Sequence, residues 1–295
     1  MNPSPGYVGR FAPSPTGPLH HGSLVAALAS WLDARHHGGT WLLRIEDLDP
    51  PRESATAPNL ILSQLTQLGL YWDAEPLFQS HRMRAFDEAL QQLIDTDRVF
   101  ACACSRRITT PVYAGTCRQR RLTNTNSEAA VRFEIPDSTL HLTDQILGPQ
   151  TWNLQREVGD FVIKRRDGLY AYQLAVTVDD AFQQITHVVR GSDLLDSTPR
   201  QISLAQALQY RVPQYAHIPI LVDAAGKKLS KSDQAPQLPF TEPMRCIRAG
   251  LKHLGQPLFP HITDLPALLS AATHAWRLDR VPTELSQPFQ PIDAD

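Results

Sequence analysis

The stretch Gly226-Lys227-Lys228-Leu229-Ser230-Lys231-Ser232-Asp233 sets three lysines and two serines within six residues. Ammonium groups so close repel one another unless an anion lies near, so a loop of this composition can close over a polyphosphate. About two hundred residues earlier, Gly9-Arg10-Phe11-Ala12-Pro13-Ser14-Pro15-Thr16-Gly17-Pro18-Leu19-His20-His21-Gly22-Ser23 places three prolines and three glycines in fifteen residues and runs into an apolar, helix-patterned segment. A stiff turn feeding a helix start presents unpaired backbone N–H groups and the positive end of a helix dipole, which suits a phosphate or another anion. Arg10, His20 and His21 stand beside it. A third group, Cys102, Cys104 and Cys117, falls within sixteen residues. Three thiolates with a Cys-x-Cys pair suit zinc, which takes four ligands; Tyr113, His141 or a water are the candidates for the fourth place.

Positioning these groups falls to a chain that alternates strand and helix textures. Residues 7–11 read as a short buried strand. Ser23, Leu24, Leu28, Trp31 and Leu32 set a helical period that should end at Gly38-Gly39, and Thr40–Ile45 reads as the second strand. A right-handed crossover makes the two strands parallel with their C-terminal ends on one edge, where open α/β sheets bind ligands. Arg10, His20 and Glu46-Asp47 are therefore expected to converge there. Helical patterns follow over 55–70 and 81–97. Beyond Phe100 the cysteine-bearing segment, with strand-like runs near 131–135, has the texture of an insertion. Strand texture resumes over 161–164, an apolar run over 172–178 leads to Asp179-Asp180, and 186–190 is β-rich. An amphipathic helix over 194–210 and a strand over 217–222 follow. Helical patterns near 245–254 and 265–276 precede a Pro-rich polar tail from Val281, expected to be partly disordered. The domain reading is 1–100 and 161–232 as two halves of a core, 101–160 as an inserted subdomain, and 233–295 as a short helical C-terminal region with a flexible tail.

At 295 residues, with 42% hydrophobic and 20% charged, the composition is that of a globular protein long enough to bury a sizeable core. No segment approaches the ~20 apolar residues of a membrane span, and the start Met1-Asn2-Pro3-Ser4-Pro5 lacks a secretory apolar core, so a cytoplasmic location without a membrane partner is expected. A formal charge of −2 argues against indiscriminate nucleic-acid binding, so any RNA contact must come from local patches. Arg106, Arg107, Arg118, Arg120 and Arg121 have no acidic neighbour between residues 101 and 121 and form one such candidate.

Three motifs taken together carry a resemblance. Phe11-Ala12-Pro13-Ser14-Pro15-Thr16-Gly17-Pro18-Leu19-His20 followed by Gly22, then Arg44-Ile45-Glu46-Asp47-Leu48-Asp49, then Lys228-Leu229-Ser230-Lys231-Ser232, is similar to the catalytic core of class I glutamyl-tRNA synthetases over roughly residues 7–240. The resemblance implies an α/β, Rossmann-type nucleotide-binding core with a zinc-knuckle insertion. It implies ATP binding by His20, Gly22, Ser23, Lys228, Ser230 and Lys231, with His20, Lys228 and Lys231 catalytic and Mg2+ accompanying the ATP. Ser23 stands where the family's first motif has a second histidine; a serine donates a hydrogen bond but brings no charge. Glutamate binding is implied for Arg10, Phe11, Ala12, Pro13, Ser14, Glu46, Tyr172 and Arg190, with the assignment of arginines to carboxylates open. One structural Zn2+ is implied on Cys102, Cys104, Tyr113 and Cys117, as in a subgroup that uses tyrosine. Only 63 residues follow Ser232, fewer than the anticodon-binding region of an ordinary family member. The chain thus resembles the family's short paralogues, which activate L-glutamate without tRNA and attach it to the queuosine base at the wobble position of tRNA(Asp). A monomer is expected.

Overall fold

The computed structural model describes residues 6–104, 112–121, 129–223, 226–228 and 238–289. In chain order the elements are β1 (Val8–Phe11), α1 (His21–His36), β2 (Thr40–Ile45), α2 (Ala57–Gln67), β3 (Leu77–Phe78), α3 (Met83–Asp95), β4 (Val99–Cys102), β5 (Ala130–Phe133), β6 (Thr139–Asp144) and β7 (Gly148–Asn153). They continue with β8 (Phe161–Lys164), α4 (Tyr172–Phe182), β9 (His187–Gly191), α5 (Thr198–Ala207), β10 (Gln214–Ile218), β11 (Ile220–Val222), α6 (Pro243–His253), α7 (Leu265–Ala275) and β12 (Ser286–Pro288).

β1 and β2 pair in parallel, Val8 opposite Thr40, across the crossover made by α1. β2 pairs onward with β3, and β9 pairs with β10, both in parallel. The two parallel pieces meet where the Thr186 amide donates to the Val8 carbonyl at 2.9 Å. Gly39 sits at the turn between α1 and β2 because a Cβ there would lie 2.5 Å from the Tyr7 carbonyl oxygen.

α1 buries Leu24, Val25, Ala27, Leu28, Ala29, Trp31 and Leu32, more than one helical face can hold. The reason is that it packs on the sheet from one side and against α6 and α7 from the other. Gly250 of α6 lets that approach happen, since a Cβ there would meet Leu28 Cδ2 at 2.6 Å. Trp276 Nε1 donates to Asp33 Oδ1 of α1 at 2.9 Å, tying the end of the chain to the first helix. The C-terminal helices thus share one core with residues from β1, β2 and α2. A second core gathers α3, β4, β5, β8, α4 and α5 around Phe86, Phe133, Ile163 and Leu174.

Two expectations from the sequence meet a different local structure. The strand expected over 217–222 is two strands, β10 and β11, because Pro219 has no N–H to carry a ladder through. The Pro-rich segment after Val281 carries β12, which pairs in parallel with β11, while Val281 itself is buried. Edge pairing and an apolar anchor hold it in place; residues 290–295 lie outside the described part. Among the described residues no helix is long and apolar enough to cross a membrane.

Candidate active site

A cavity of about 470 Å3 opens at the C-terminal ends of β1, β2, β9 and β10. Its lining includes Arg10 to Ser14 of the first motif and His20, Gly22 and Ser23 where α1 begins. Glu46, Tyr172, Arg190 and Lys228 also line it. Every residue expected to bind ATP or glutamate lines this one cavity except Ser230 and Lys231, which lie outside the described residues.

His20 caps α1, its Nδ1 accepting the Ser23 amide at 3.2 Å. A neutral ring so engaged carries its proton on Nε2. Gly22 leaves room for that pose: a Cβ there would lie 3.1 Å from His20 Cε1 and 3.2 Å from Nδ1, a tight contact. Lys228 bridges to Val222 through its backbone, and its Nζ donates to Asp193 Oδ2 at 2.5 Å.

At the deep end Arg44 is fully buried and donates to Asp180 at 2.7 Å, to Gln183 at 2.8 Å and to Glu46 at 3.4 Å. Asp180 also accepts Arg10 Nε at 3.4 Å. Among the described residues the two terminal nitrogens of Arg10 carry no hydrogen bond, so its fork faces the cavity uncommitted. Arg190 differs. Its Nε donates to His217 Nε2 at 3.1 Å, one terminal nitrogen to Gln201 Oε1 at 2.8 Å, and the other to Thr198 Oγ1 at 2.8 Å and the Leu194 carbonyl at 3.3 Å. Burial pushes the Glu46 carboxyl up to about 7, against the opposing pull of Arg44 and Arg10. Burial, reinforced by Glu46, also raises the Tyr172 hydroxyl.

Asp47 and His21 turn away from the cavity. Adjacent residues on an extended chain face opposite sides, and Asp47 accepts from the Ser80 amide at 2.9 Å and its hydroxyl at 2.6 Å. His21 is buried edge-on against Phe289.

The cysteine group forms a separate centre. The sulfurs of Cys102, Cys104 and Cys117 lie within 4.8 Å of one another. Tyr113 Oη lies 3.6 Å from Cys102 Sγ and from Cys104 Sγ, and it accepts the Cys117 amide at 2.9 Å. A tetrahedron with Zn–S about 2.3 Å and Zn–O about 2.0–2.2 Å has edges of about 3.5–3.8 Å, and the 3.6 Å separations of Tyr113 Oη from Cys102 Sγ and Cys104 Sγ, and of Cys104 Sγ from Cys117 Sγ, match such edges. The Tyr113 hydrogen bond holds the Cys117 thiol down to about 7. His141 stands elsewhere, on β6, bonded to Thr151. Arg132 donates to Cys102 Sγ at 3.3 Å with its guanidinium 4.0 Å from the Tyr113 ring centre. Cys246 is apart and buried, as expected of a structural thiol.

Two of the arginines considered for RNA are already paired. Arg118 donates to both oxygens of Asp160, at 2.7 and 3.0 Å, and Arg121 pairs with Glu134 and Asp97. Their acidic partners come from outside residues 101–121. Arg106 and Arg107 lie outside the described residues.

Sequence reasoning missed Asp180, Asp193, Thr198, Gln201 and His217 as members of the site. A usable signal existed for Arg44, which shares a strand face with Glu46 at a two-residue spacing.

Residues 7–239 match the family model for tRNA synthetases class I (E and Q), catalytic domain. The glutamyl-Q tRNA(Asp) synthetase of Pseudomonas putida is 45% identical over 287 residues, covering 96% of this chain and 97% of that protein. The protein of the same name from Thiobacillus denitrificans is 49% identical over 294 residues, with the same coverage. A crystal structure of a glutamate tRNA ligase from Elizabethkingia meningosepticum in complex with its amino acid superposes with a TM-score of 0.80 at 26% identity, covering 97% of this chain and 67% of that one.

Proposed function

Because this chain belongs to the class I tRNA synthetases of the glutamate and glutamine type, we propose that it joins L-glutamate to ATP as glutamyl-adenylate without tRNA and then transfers the glutamate to the queuosine base at the wobble position of tRNA(Asp). The observation that carries this reading is the joining of Arg10, Glu46 and Arg190 with His20 and Lys228 in one cavity. The names of relatives at 45% and 49% identity over nearly the whole chain supply the acceptor.

Adenylate formation needs the glutamate α-carboxylate in line with the α-phosphate while charge grows on the departing pyrophosphate. The attacking group belongs to the substrate, so no side-chain nucleophile is required. Arg10 presents two terminal nitrogens to a carboxylate, Arg190 adds one donor and its charge, and Glu46 receives the α-ammonium. Phe11, Ala12, Pro13, Ser14 and Tyr172 shape the rest of that pocket. His20 donates from Nε2 to phosphate oxygens, beside the Gly22 amide, while the Ser23 amide holds the ring through Nδ1. Ser23 brings a hydroxyl in place of a second imidazole, so neutralisation of the leaving pyrophosphate falls to Lys228 and, in this reading, to Ser230 and Lys231. Mg2+ arriving with the ATP would supply further charge neutralisation for the phosphates.

Residues 101–160 are read as the inserted subdomain, with Cys102, Cys104, Tyr113 and Cys117 holding one structural zinc. A zinc ion held there would link Tyr113 and Cys117 to β4 through Cys102. The test is mass spectrometry of nucleosides after incubation with ATP, glutamate and tRNA(Asp). Glutamylated queuosine is expected; glutamylation of tRNA that lacks queuosine would overturn the acceptor.

A further inference from the structure

His217 of β10 is wholly buried, touches neither ATP nor glutamate in the reading above, and yet is wired to a cavity residue. Its Nε2 faces Arg190 Nε at 3.1 Å and Thr198 Oγ1 at 3.1 Å. Arginine only donates, so Nε2 must accept and the ring proton must sit on Nδ1. Nδ1 lies 2.6 Å from Asp144 Oδ2. The other oxygen of Asp144 accepts three backbone amides, from Ile146 at 3.0 Å, Leu147 at 2.9 Å and His217 at 3.2 Å. A carboxylate so fully engaged fixes the ring in one tautomer and one orientation. Burial and the Arg190 charge lower the His217 pKa, which keeps the ring neutral beside the guanidinium.

The result is a clamp. Four of the five N–H groups of Arg190 are spent on His217, Gln201, Thr198 and the Leu194 carbonyl. One is left for a ligand. Arg10, by contrast, is held through Nε alone.

We propose that the Asp144–His217 pair is a positioning device that locks the Arg190 guanidinium, so that this arginine offers glutamate one fixed donor and its charge while Arg10 supplies the two-pronged contact. This deepens the glutamate-activating reading and rests on it. Because His217 acts through Arg190, its loss should weaken glutamate and leave ATP unaffected.

The test compares His217→Asn with His217→Gln in the intact protein by glutamate-dependent ATP–pyrophosphate exchange, with thermal unfolding recorded for each. Asparagine keeps a polar group near Asp144 but falls short of Arg190. Glutamine places its amide oxygen near the site of Nε2 and can accept from Arg190. The expected result is a KM for glutamate raised about tenfold or more by asparagine and restored to within about threefold by glutamine, with KM for ATP unchanged in both. An unchanged glutamate KM in a folded His217→Asn protein overturns the positioning role. So does an equal rise in both variants that follows only their melting temperatures. Absence of exchange in the wild-type protein instead overturns the activity on which the inference rests.

Discussion

Asp180 Oδ1 lies 2.7 Å from a terminal nitrogen of Arg44 and 3.4 Å from Arg10 Nε, one carboxylate oxygen shared by two buried arginines. Arg44 contributes nothing to the cavity surface, so its role is to hold Asp180 ionised and pointed at Arg10. The two cations and the nearby Glu46 and Asp180 carboxylates balance one another locally.

Replacing Asp180 by asparagine keeps the volume and removes the charge. Two guanidinium groups are then left adjacent, against Glu46 and the less direct charge of Asp179. The expected cost is about 3–5 kcal/mol of stability, the range for breaking a buried ion pair on one side. Chemical denaturation reads it, and glutamate-dependent exchange should fall with it as Arg10 loses its anchor. An Asp180→Asn protein with wild-type stability and KM would show that Arg10 is oriented by something else.

Glu46 gives the site a pH dependence. Its carboxyl is raised to about 7, first by burial. Binding an α-ammonium requires the ionised form. Below about pH 7 the substrate must displace a proton, so the KM for glutamate should climb by up to about tenfold per pH unit. Above it the KM should level off. Glu46→Gln should bind glutamate weakly across the whole range and lose this slope. A wild-type KM that stays flat between pH 6 and 8, about one unit either side of that value, removes Glu46 from contact with the ammonium.

Much of this arrangement was legible in the chain, and the unread part has a common cause. The strand, turn and helix around Arg10 to Ser23 are written in contiguous proline, glycine and apolar spacing, so their place at one sheet edge followed from the handedness of the crossover. Lys228 and the cysteine group were visible as local clusters. Asp180, His217 and Asp144 were not, because each acts through a partner far along the chain and a single buried polar residue leaves no periodic trace. Arg118 and Arg121 failed for the same reason in reverse: a search of their own segment could not find Asp160 or Glu134. The split at Pro219 was readable and was overlooked, since proline cannot donate within a strand.

Gly22 separates positioning from binding. Gly22→Ala would bring a methyl to 3.1 Å from His20 Cε1, so the ring must give by a few tenths of an ångström at its cap. The glutamate side is untouched by that change. The expected signature is kcat for pyrophosphate exchange lowered about ten- to a hundredfold with the KM for glutamate within about twofold of wild type. A rise in glutamate KM with unchanged kcat would contradict the placement of His20 on the phosphate side.

If the cysteine centre takes zinc as proposed, Arg132 should decide how tightly it is held. Three thiolates and a phenolate around Zn2+ leave a net double negative charge, and Arg132 touches Cys102 Sγ at 3.3 Å while covering the Tyr113 ring at 4.0 Å. It also donates to the Asp160 carbonyl at 2.8 Å, which joins this centre to the start of β8. Removing it takes away the adjacent countercharge and one sulfur hydrogen bond, a change of the kind that costs about 10–100-fold in metal affinity. Arg132→Met should therefore release zinc to a coloured chelator at lower chelator concentration than wild type, and Cys117→Ser should fail to retain it. The glutamate cavity uses none of these residues, so tRNA-independent exchange should survive in Arg132→Met. Equal zinc retention by Arg132→Met and wild type would show that the four ligand positions suffice without the arginine, and exchange lost in step with zinc would show that the two centres are coupled through the β4–β5–β8 sheet.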